Sequence, residues 1–198
     1  MAPIPDDPLG DQILAAAALV FAESGVRGAT LDAVAERAHV SAHTVRRRWT
    51  GKQALALAVI DRDLRIELGD VDRRIAGQST VEGRVAEGAS SVFWFLRTHP
   101  LVGGALATDL DLLWPPRVAT RCPVIAVATS HVVDTLVAVE SRGGDTIADP
   151  DTLREVMTRL IHSLLLAPSS AAPLTSRAST AAYMRRCLVP LVRTAGTA

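Results

Sequence analysis

The side chains best suited to bind another molecule lie in one short stretch, residues 30–52. From Arg37 to Lys52 it holds five cationic side chains and no acidic one, although the whole chain has a formal net charge of +0. Three of the five are consecutive, namely Arg46, Arg47 and Arg48. Guanidinium groups neutralise phosphates, and an arginine can donate two hydrogen bonds to O6 and N7 of guanine. The stretch therefore predicts contact with duplex DNA.

The same stretch has the pattern of two short helices around a tight turn. Thr30 and Ser41 are suited to cap them, because a hydroxyl at an N-cap accepts a hydrogen bond from a free backbone N–H. On the second helix, Val45 and Trp49 are four residues apart and face inward. That rotation turns the arginines toward the other side or the flanks. The predicted arrangement is a helix-turn-helix, whose second helix lies in the DNA major groove.

The composition favours an all-helical protein. The chain has 198 residues, 48% of them hydrophobic, and lacks long strand-like alternations. Cys122 and Cys187 do not make a disulfide framework, and no Cys/His cluster suggests zinc, so neither a metal nor a cofactor is expected. Lys52 is the only lysine among 21 basic residues, which GC-rich coding explains without a functional cause.

The N-terminal sequence argues against export. Residues 13–22 resemble the apolar part of a signal peptide, but Asp6, Asp7 and Asp11 accompany them with no lysine or arginine before them. Export signals begin with positive charge. No run approaches the roughly 20 apolar residues of a membrane span. The protein is expected in the cytoplasm.

Hydrophobic periodicity predicts about nine helices in two domains. A loose segment covers residues 1–8, a three-helix helix-turn-helix DNA-binding domain covers 9–62, and a second helical domain covers 63–198. The first helix should end near Ser24, with Gly25 in a left-handed conformation. The fourth should run from Lys52 to about Ile75, with Leu55, Val59 and Ile66 on its apolar face, and lose its apolar periodicity near the middle, at the junction of the domains. The later helices are predicted at about 81–98, 102–113 (weakly), 123–140, from 150, and at 176–192.

Residues 13–60 resemble the DNA-binding domain of TetR-family transcriptional repressors. The matching pieces are ILAAAALVFAESG, TLDAVAERAHVS and HTVRRRWTGKQALALAVID, and the spacing between them also fits. The resemblance implies that Thr30, Thr44 and Lys52 contact phosphates. Arg46 stands where the family usually has Tyr, and His39 replaces a turn Gly, where His tolerates a positive φ better than most residues.

Base contacts are assigned to His43, which replaces a small residue of the family, and to Arg47. Arg46, Arg48, Thr44 and Lys52 are assigned to the DNA backbone. A solvated charged face without DNA contact is the alternative. The complete predicted DNA-binding set is Thr30, Ser41, Ala42, His43, Thr44, Arg46, Arg47, Arg48 and Lys52.

The resemblance also implies that residues 63–198 form a ligand-binding and dimerisation domain, with a ligand cavity among the middle helices. Such cavities are mainly apolar with a few polar groups, which favours a hydrophobic effector. For the aromatic candidates, ordinary core packing is the alternative. The predicted ligand-binding set is Phe93, Trp94, Leu96, His99, Leu113, Trp114, His131, Thr135 and His162.

A wide apolar stripe follows the last two predicted helices. Members of the family pair these helices into a dimer, and a symmetric operator needs two recognition helices about 34–36 Å apart, which a two-fold dimer provides. Packing within one chain is the alternative. The predicted interface set is Leu153, Met157, Leu160, Ile161, Leu164, Met184, Leu188 and Leu191.

Together these features predict a homodimeric, ligand-responsive regulator, most simply a repressor, that binds a palindromic operator. A small molecule would release it by binding better to the conformation that does not fit DNA. Two alternatives remain. One is a constitutive DNA-binding protein without an effector. The other is a helical enzyme with an appended helix-turn-helix, for which residues 80–198 show no catalytic constellation.

Overall fold

The computed structural model describes residues 7–103, 123–143, 147–167 and 174–192, and most of them are helical. Within these ranges no residue is in a strand, which confirms the all-α prediction. Residues 100–103 are helical as well. The eight helices with defined bounds are α1 (Pro8–Gly28), α2 (Leu31–Arg37), α3 (Ala42–Arg48), α4 (Lys52–Ala76), α5 (Val81–Thr98), α6 (Pro123–Gly143), α7 (Pro150–Leu166) and α8 (Arg177–Val192).

The chain divides into two compact units. Unit 1 extends to Asp63 and includes the segment from Pro100, whereas unit 2 contains Leu64–His99 and the part of the chain that begins at Leu113. Helix α4 contributes residues to both. The functions predicted for residues 9–62 and 63–198 stay predictions.

Helix α1 opens unit 1 and begins earlier than expected. The Asp7 carboxylate accepts a hydrogen bond of 3.0 Å from the Gly10 backbone N–H, and Pro8 occupies the first turn, where its missing N–H costs nothing. The prediction that residues 7 and 8 are loose is therefore wrong. Gly25 interrupts the helix with φ +67°, as expected of this glycine, although helical residues continue to Gly28.

The turn between α2 and α3 follows the local signals of the sequence. Thr30 Oγ1 accepts a 3.1 Å hydrogen bond from the Ala33 N–H, and Ser41 Oγ accepts one of 3.1 Å from the Thr44 N–H. His39, between the two helices, has φ +52°. Both predicted caps and the positive φ of His39 are confirmed.

Helix α4 corrects one prediction. Its buried side continues without a break, and the predicted loss of periodicity is wrong. Ile66, which was assigned to the apolar face, is 64% exposed, because the buried face passes through leucines on either side of it. The buried residues along the helix are Leu55, Ala56, Val59, Ile60, Leu64, Leu68, Val71 and Ile75.

In unit 2, α5 packs against α6, α7 and α8, and α7 also packs against α6 and α8. Thr80 caps α5, and Asp149 caps α7 by accepting a 2.9 Å hydrogen bond from the Thr152 N–H. Pro150 follows at the first helical position. The predicted start of α7 is therefore confirmed.

The apolar stripe on α7 and α8 is mostly core of its own chain. Because α5 covers these helices, five residues of the predicted dimer interface are completely buried within one chain and are not available to a partner. Assigning them to the interface is therefore wrong. These residues are Leu153, Met157, Ile161, Met184 and Leu188. Leu160, Leu164 and Leu191 are half-buried, and their role in a dimer stays a prediction.

Two helices in the described ranges, Pro8–Gly28 and Val124–Gly143, are long and apolar enough to cross a membrane by length and composition. The sequence analysis expected no segment of this length and composition. The same property is found in core helices of soluble proteins, and Ile13, Ala17 and Phe21 on the first of them are buried inside the protein. Length and composition are therefore weak grounds for a membrane span here.

Candidate nucleic-acid interface

One side of helix α3 is buried, and the opposite side is exposed to solvent. Val45 is completely buried, whereas His43 and Arg47 are exposed. Because His43 and Arg47 are four residues apart, they share one face of the helix. Trp49, expected to face inward, is half-buried at the end of α3. The burial of Val45 thus fixes which face of α3 meets solvent.

The three consecutive arginines have different surroundings. Arg46 donates from Nη2 to both carboxylate oxygens of Asp32, at 2.7 and 2.9 Å. Arg48 donates from Nη1 to Asp7. Within the described ranges Arg47 has no ion pair or hydrogen bond from its side chain. Arg47 is therefore the arginine of α3 that can bind a new partner without breaking a pair.

The Asp7 carboxylate serves two elements at once. It caps α1 through Gly10 and pairs with Arg48, and the hydrogen bond from Arg48, followed by that from the Gly10 N–H, holds the pKa of Asp7 below its usual value. Gly10 is required here, because a Cβ at this position would collide with the Asp7 carboxylate. Asp7 therefore caps α1 and at the same time joins the start of α1 to α3.

Acidic residues from other parts of unit 1 pair with arginines of residues 37–52 and so reduce the positive charge expected there. Arg37 forms a bidentate ion pair with Glu23 of α1, in which Nη1 and Nη2 donate to Oε1 and Oε2 at 2.7 and 2.9 Å. The partners of Arg46 and Arg48 also lie outside residues 37–52. Counting acids only within that stretch therefore missed the pairing, because these partners are 14 and 41 residues away along the chain.

Lys52 lies at the first turn of α4, as the sequence indicated, and is half-buried. Its ammonium donates to the backbone carbonyl of Arg27 and lies 3.5 Å from that of Ala29. It therefore ties the end of α1 to the start of α4. A phosphate contact by Lys52 stays a prediction, and it would replace or share these carbonyl contacts.

The remaining predicted DNA contacts lie around the helix starts. Thr30 and Ser41 are exposed, and Ala42 and Thr44 are half-buried. The hydroxyls of Ser41 and Thr44 are 2.8 Å apart. As caps, Thr30 and Ser41 accept from backbone N–H groups. The hydroxyl hydrogen of Thr30 is then available to donate to a phosphate, whereas in the Ser41–Thr44 pair one hydroxyl donates to the other and one hydroxyl hydrogen is left for a phosphate.

The predicted ligand residues fall into separate groups. Phe93 and Leu96 are buried, Trp94 is half-buried, and the rings of Phe93 and Trp94 meet edge to face with centroids 6.0 Å apart. Trp94 Nε1 donates to Thr180 Oγ1 at 3.0 Å, so this indole joins α5 to α8. His99 is buried at the end of α5 with its ring 5.1 Å from that of Phe95. Leu113 and Trp114 lie outside the described residues.

His131 and Thr135 meet at one carboxylate. Asp72 Oδ1 lies 2.9 Å from His131 Nε2 and accepts from Thr135 Oγ1 at 2.9 Å. His162 is half-buried, and burial lowers the pKa of its imidazole. The structure thus groups His131 with Thr135, and Phe93 with Trp94. The ligand assignment of all these residues stays a prediction.

A cleft of about 600 Å³ lies in unit 1, where α1 faces α2. Thr30 and the paired Glu23 and Arg37 line it, so its wall is partly charged and differs from the apolar cavity expected of a ligand site. Across the described residues, no group of three His, Cys, Asp or Glu side chains is placed to hold a metal ion.

Comparison with known proteins finds a family model that matches the N-terminal part of the chain. Residues 13–59 match the family model described as bacterial regulatory proteins, tetR family. The N-terminal part of the chain is therefore similar to this family. This confirms the resemblance noted in the sequence, and the match covers α2 and α3, most of α1 and the first turns of α4.

A curated relative extends the similarity into unit 2. The chain is 28% identical over 138 residues to the HTH-type transcriptional activator FasR of Mycolicibacterium smegmatis. The alignment covers 70% of this chain and 63% of FasR, so the chain spans somewhat less than two thirds of that relative.

Solved structures share the fold of this protein over nearly the whole chain. The TetR-family repressor AlkX of Dietzia sp. strain DQ12-45-1b, implicated in biodegradation of n-alkanes, superposes with a TM-score of 0.65 at 18% identity, covering 94% of this chain and 100% of AlkX. The regulator FadR of Bacillus subtilis, solved in complex with stearoyl-CoA, gives 0.59 at 16% identity, covering 94% and 99%. At this identity the superpositions show the fold alone.

Proposed function

We propose that the chain is a ligand-responsive transcriptional regulator that binds DNA through α3. The observation that carries the proposal is the exposed face with His43 and the unpaired Arg47, on a helix whose opposite side is fixed by buried Val45. An arginine on this face can reach guanine in the major groove. The match of residues 13–59 to the tetR family model and the similarity to FasR support the proposal.

The protein acts as a homodimer in this proposal. A palindromic operator presents two equal half-sites, and a two-fold pair of chains places one α3 on each. Leu160, Leu164 and Leu191 are partly exposed apolar residues on α7 and α8, and we assign them to the interface. The core residues beneath them hold these two helices in place.

A hydrophobic effector binds within residues 63–198 and lowers DNA affinity. The stearoyl-CoA complex of FadR, which has the same fold, supports this class of effector. The effector acts only through its different affinity for the two conformations of the protein. We propose repression, as in AlkX; the name of FasR makes activation the second candidate. The proposed location is the cytoplasm.

The first experiment measures binding of the purified chain to a labelled duplex of random sequence by fluorescence anisotropy. A non-specific dissociation constant of about 10⁻⁴–10⁻⁶ M at physiological salt, tightening steeply as salt is lowered, is expected. A selection from random duplexes should then return a two-fold symmetric site. Absence of binding at low ionic strength would refute the proposal.

The effector is tested on the selected site. Stearoyl-CoA should release the protein from DNA, while coenzyme A alone, which lacks the acyl chain, should not. If neither compound nor a series of shorter acyl chains and alkanes changes the affinity, a constitutive DNA-binding protein fits better. Repression and activation are separated by transcription in vitro from a promoter that contains the site.

A further inference from the structure

Two carboxylates in unit 1 are paired with arginines of α3 although neither lies on α3. Asp32 belongs to the first turn of α2 and binds Arg46, whereas Asp7 precedes α1 and binds Arg48. Arg47 between them has no such partner in the described part of the chain. The pairing therefore alternates along α3, so that the arginine proposed to contact the bases is the one left without a carboxylate.

We propose that Asp32 and Asp7 are specificity-determining residues that act as built-in counter-ions, occupying Arg46 and Arg48 so that DNA phosphates must compete for them. This rests on the proposed DNA-binding function and goes beyond it. Contacts to phosphate carry no sequence information. On a duplex without the operator sequence, phosphates alone must displace the two carboxylates, and affinity is lowered. On the operator, the base contacts of Arg47 hold α3 in place and help the phosphates to displace them, so affinity is lowered less and the ratio of specific to non-specific binding rises.

The exposure of the pair between Arg46 and Asp32 allows a phosphate to compete with Asp32 for Arg46. The side chains of Arg46 and Asp32 are 53% and 67% exposed, and ion pairs this exposed contribute little to folding. A phosphate can therefore approach Arg46 from solvent and displace Asp32 without unfolding α2. Asp32 does not cap its helix, since Thr30 does, so holding Arg46 is its one contact among the described residues.

The pair between Asp7 and Arg48 can also be displaced by a phosphate without unfolding a helix. Asp7 retains its capping bond to Gly10 through Oδ1 while Oδ2 receives Arg48. Releasing Arg48 to a phosphate would thus leave α1 capped. The absence of a Cβ at Gly10 keeps Asp7 close enough for both contacts.

The test compares Asp32→Asn and Asp7→Asn with the wild-type protein on a labelled random-sequence duplex. Asn retains the size of Asp and caps helices well, so α1 stays capped in the second variant. Glu36→Gln is the matched control, because it removes one exposed negative charge from the same unit and Glu36 has no ion pair within the described residues. Circular dichroism confirms that each protein is folded.

Each Asp variant should bind the random duplex about three- to sixfold more tightly than the wild type, because an exposed ion pair changes an equilibrium by no more than this. The slope of log affinity against log salt should steepen by about 0.9 for each arginine released. Affinity for the selected operator should rise less, so that specificity falls. Glu36→Gln should change these quantities by less than twofold.

A double-mutant cycle separates competition from general charge. In an Arg46→Gln background, Asp32→Asn should have only the small effect of Glu36→Gln, because no arginine remains to be released. Equal effects in both backgrounds, or weaker DNA binding by Asp32→Asn and Asp7→Asn, would overturn the inference. Wild-type protein that binds the duplex while the variants match the control refutes this inference alone; a wild type that binds no duplex refutes the proposed function as well.

Discussion

The substitution Arg47→Ala tests the proposed recognition face most directly. Arg47 is exposed and has no partner within the described residues, so its removal creates no cavity and leaves no carboxylate unpaired. The thermal unfolding of the variant should therefore match that of the wild type. The effect should be confined to DNA, where loss of one bidentate contact to guanine costs about 1–3 kcal/mol of discrimination in each half-site. This corresponds to about 5- to 150-fold in affinity.

The assay is a selection from random duplexes with both proteins, followed by titration of the selected operator and its single-base-pair variants. The wild type should discriminate at one position of each half-site where Arg47→Ala does not. Val45→Ala is an informative comparison, because it should weaken binding through lost stability at every position equally. If Arg47→Ala selects the same motif with the same preferences, Arg47 does not read a base.

Four further predictions concern the supports of the site and the second unit. Lys52→Ala should reduce the salt slope of DNA binding by about 0.9, and an unchanged slope would leave Lys52 only its structural contact with the end of α1. Leu160→Arg should yield monomers in analytical ultracentrifugation; a surviving dimer would contradict the proposed interface. Glu140→Gln should lower the free energy of unfolding by about 3 kcal/mol in urea titrations, because Glu140 is 3% exposed and loses its ion pair with Arg84; a change below about 1 kcal/mol would show that the pair is dispensable. Bonds from Thr152 hold the pKa of Asp149 below 3.8, so stability from this cap should be complete above that pH and lost as the pH falls through the lowered pKa. Asp149→Asn, which caps without titrating, should remove this part of the acid transition, and an identical acid transition would refute the assignment.

The sequence predicted what depends on neighbouring residues. The caps at Thr30 and Ser41 and the positive φ values of Gly25 and His39 are decided within a few residues, and all were found. The bounds of α5 and the start of α7 were also predictable, since a cap and an apolar pattern define them. The orientation of α3 followed from Val45.

Features that depend on distant residues were missed. The pairs of Arg46 with Asp32 and of Arg48 with Asp7 need the folded arrangement of three helices, which charge counting along the chain does not supply. The apolar stripe on α7 and α8 was assigned to a partner chain because the covering role of α5 was not visible in the sequence. On α4, Ile66 misled the pattern, because an exposed isoleucine resembles a buried one until its neighbours are known.

The single lysine gives the protein one lysine side chain that can be labelled selectively. Reagents that acylate primary amines have two kinds of target in a chain, the amino terminus and lysine side chains, and here the second kind is Lys52 alone. Its ammonium is engaged with carbonyls at the end of α1, which slows such a reaction. The labelling rate at this one residue therefore reports on how the start of α4 is engaged, with no engineered cysteine or fluorescent tag.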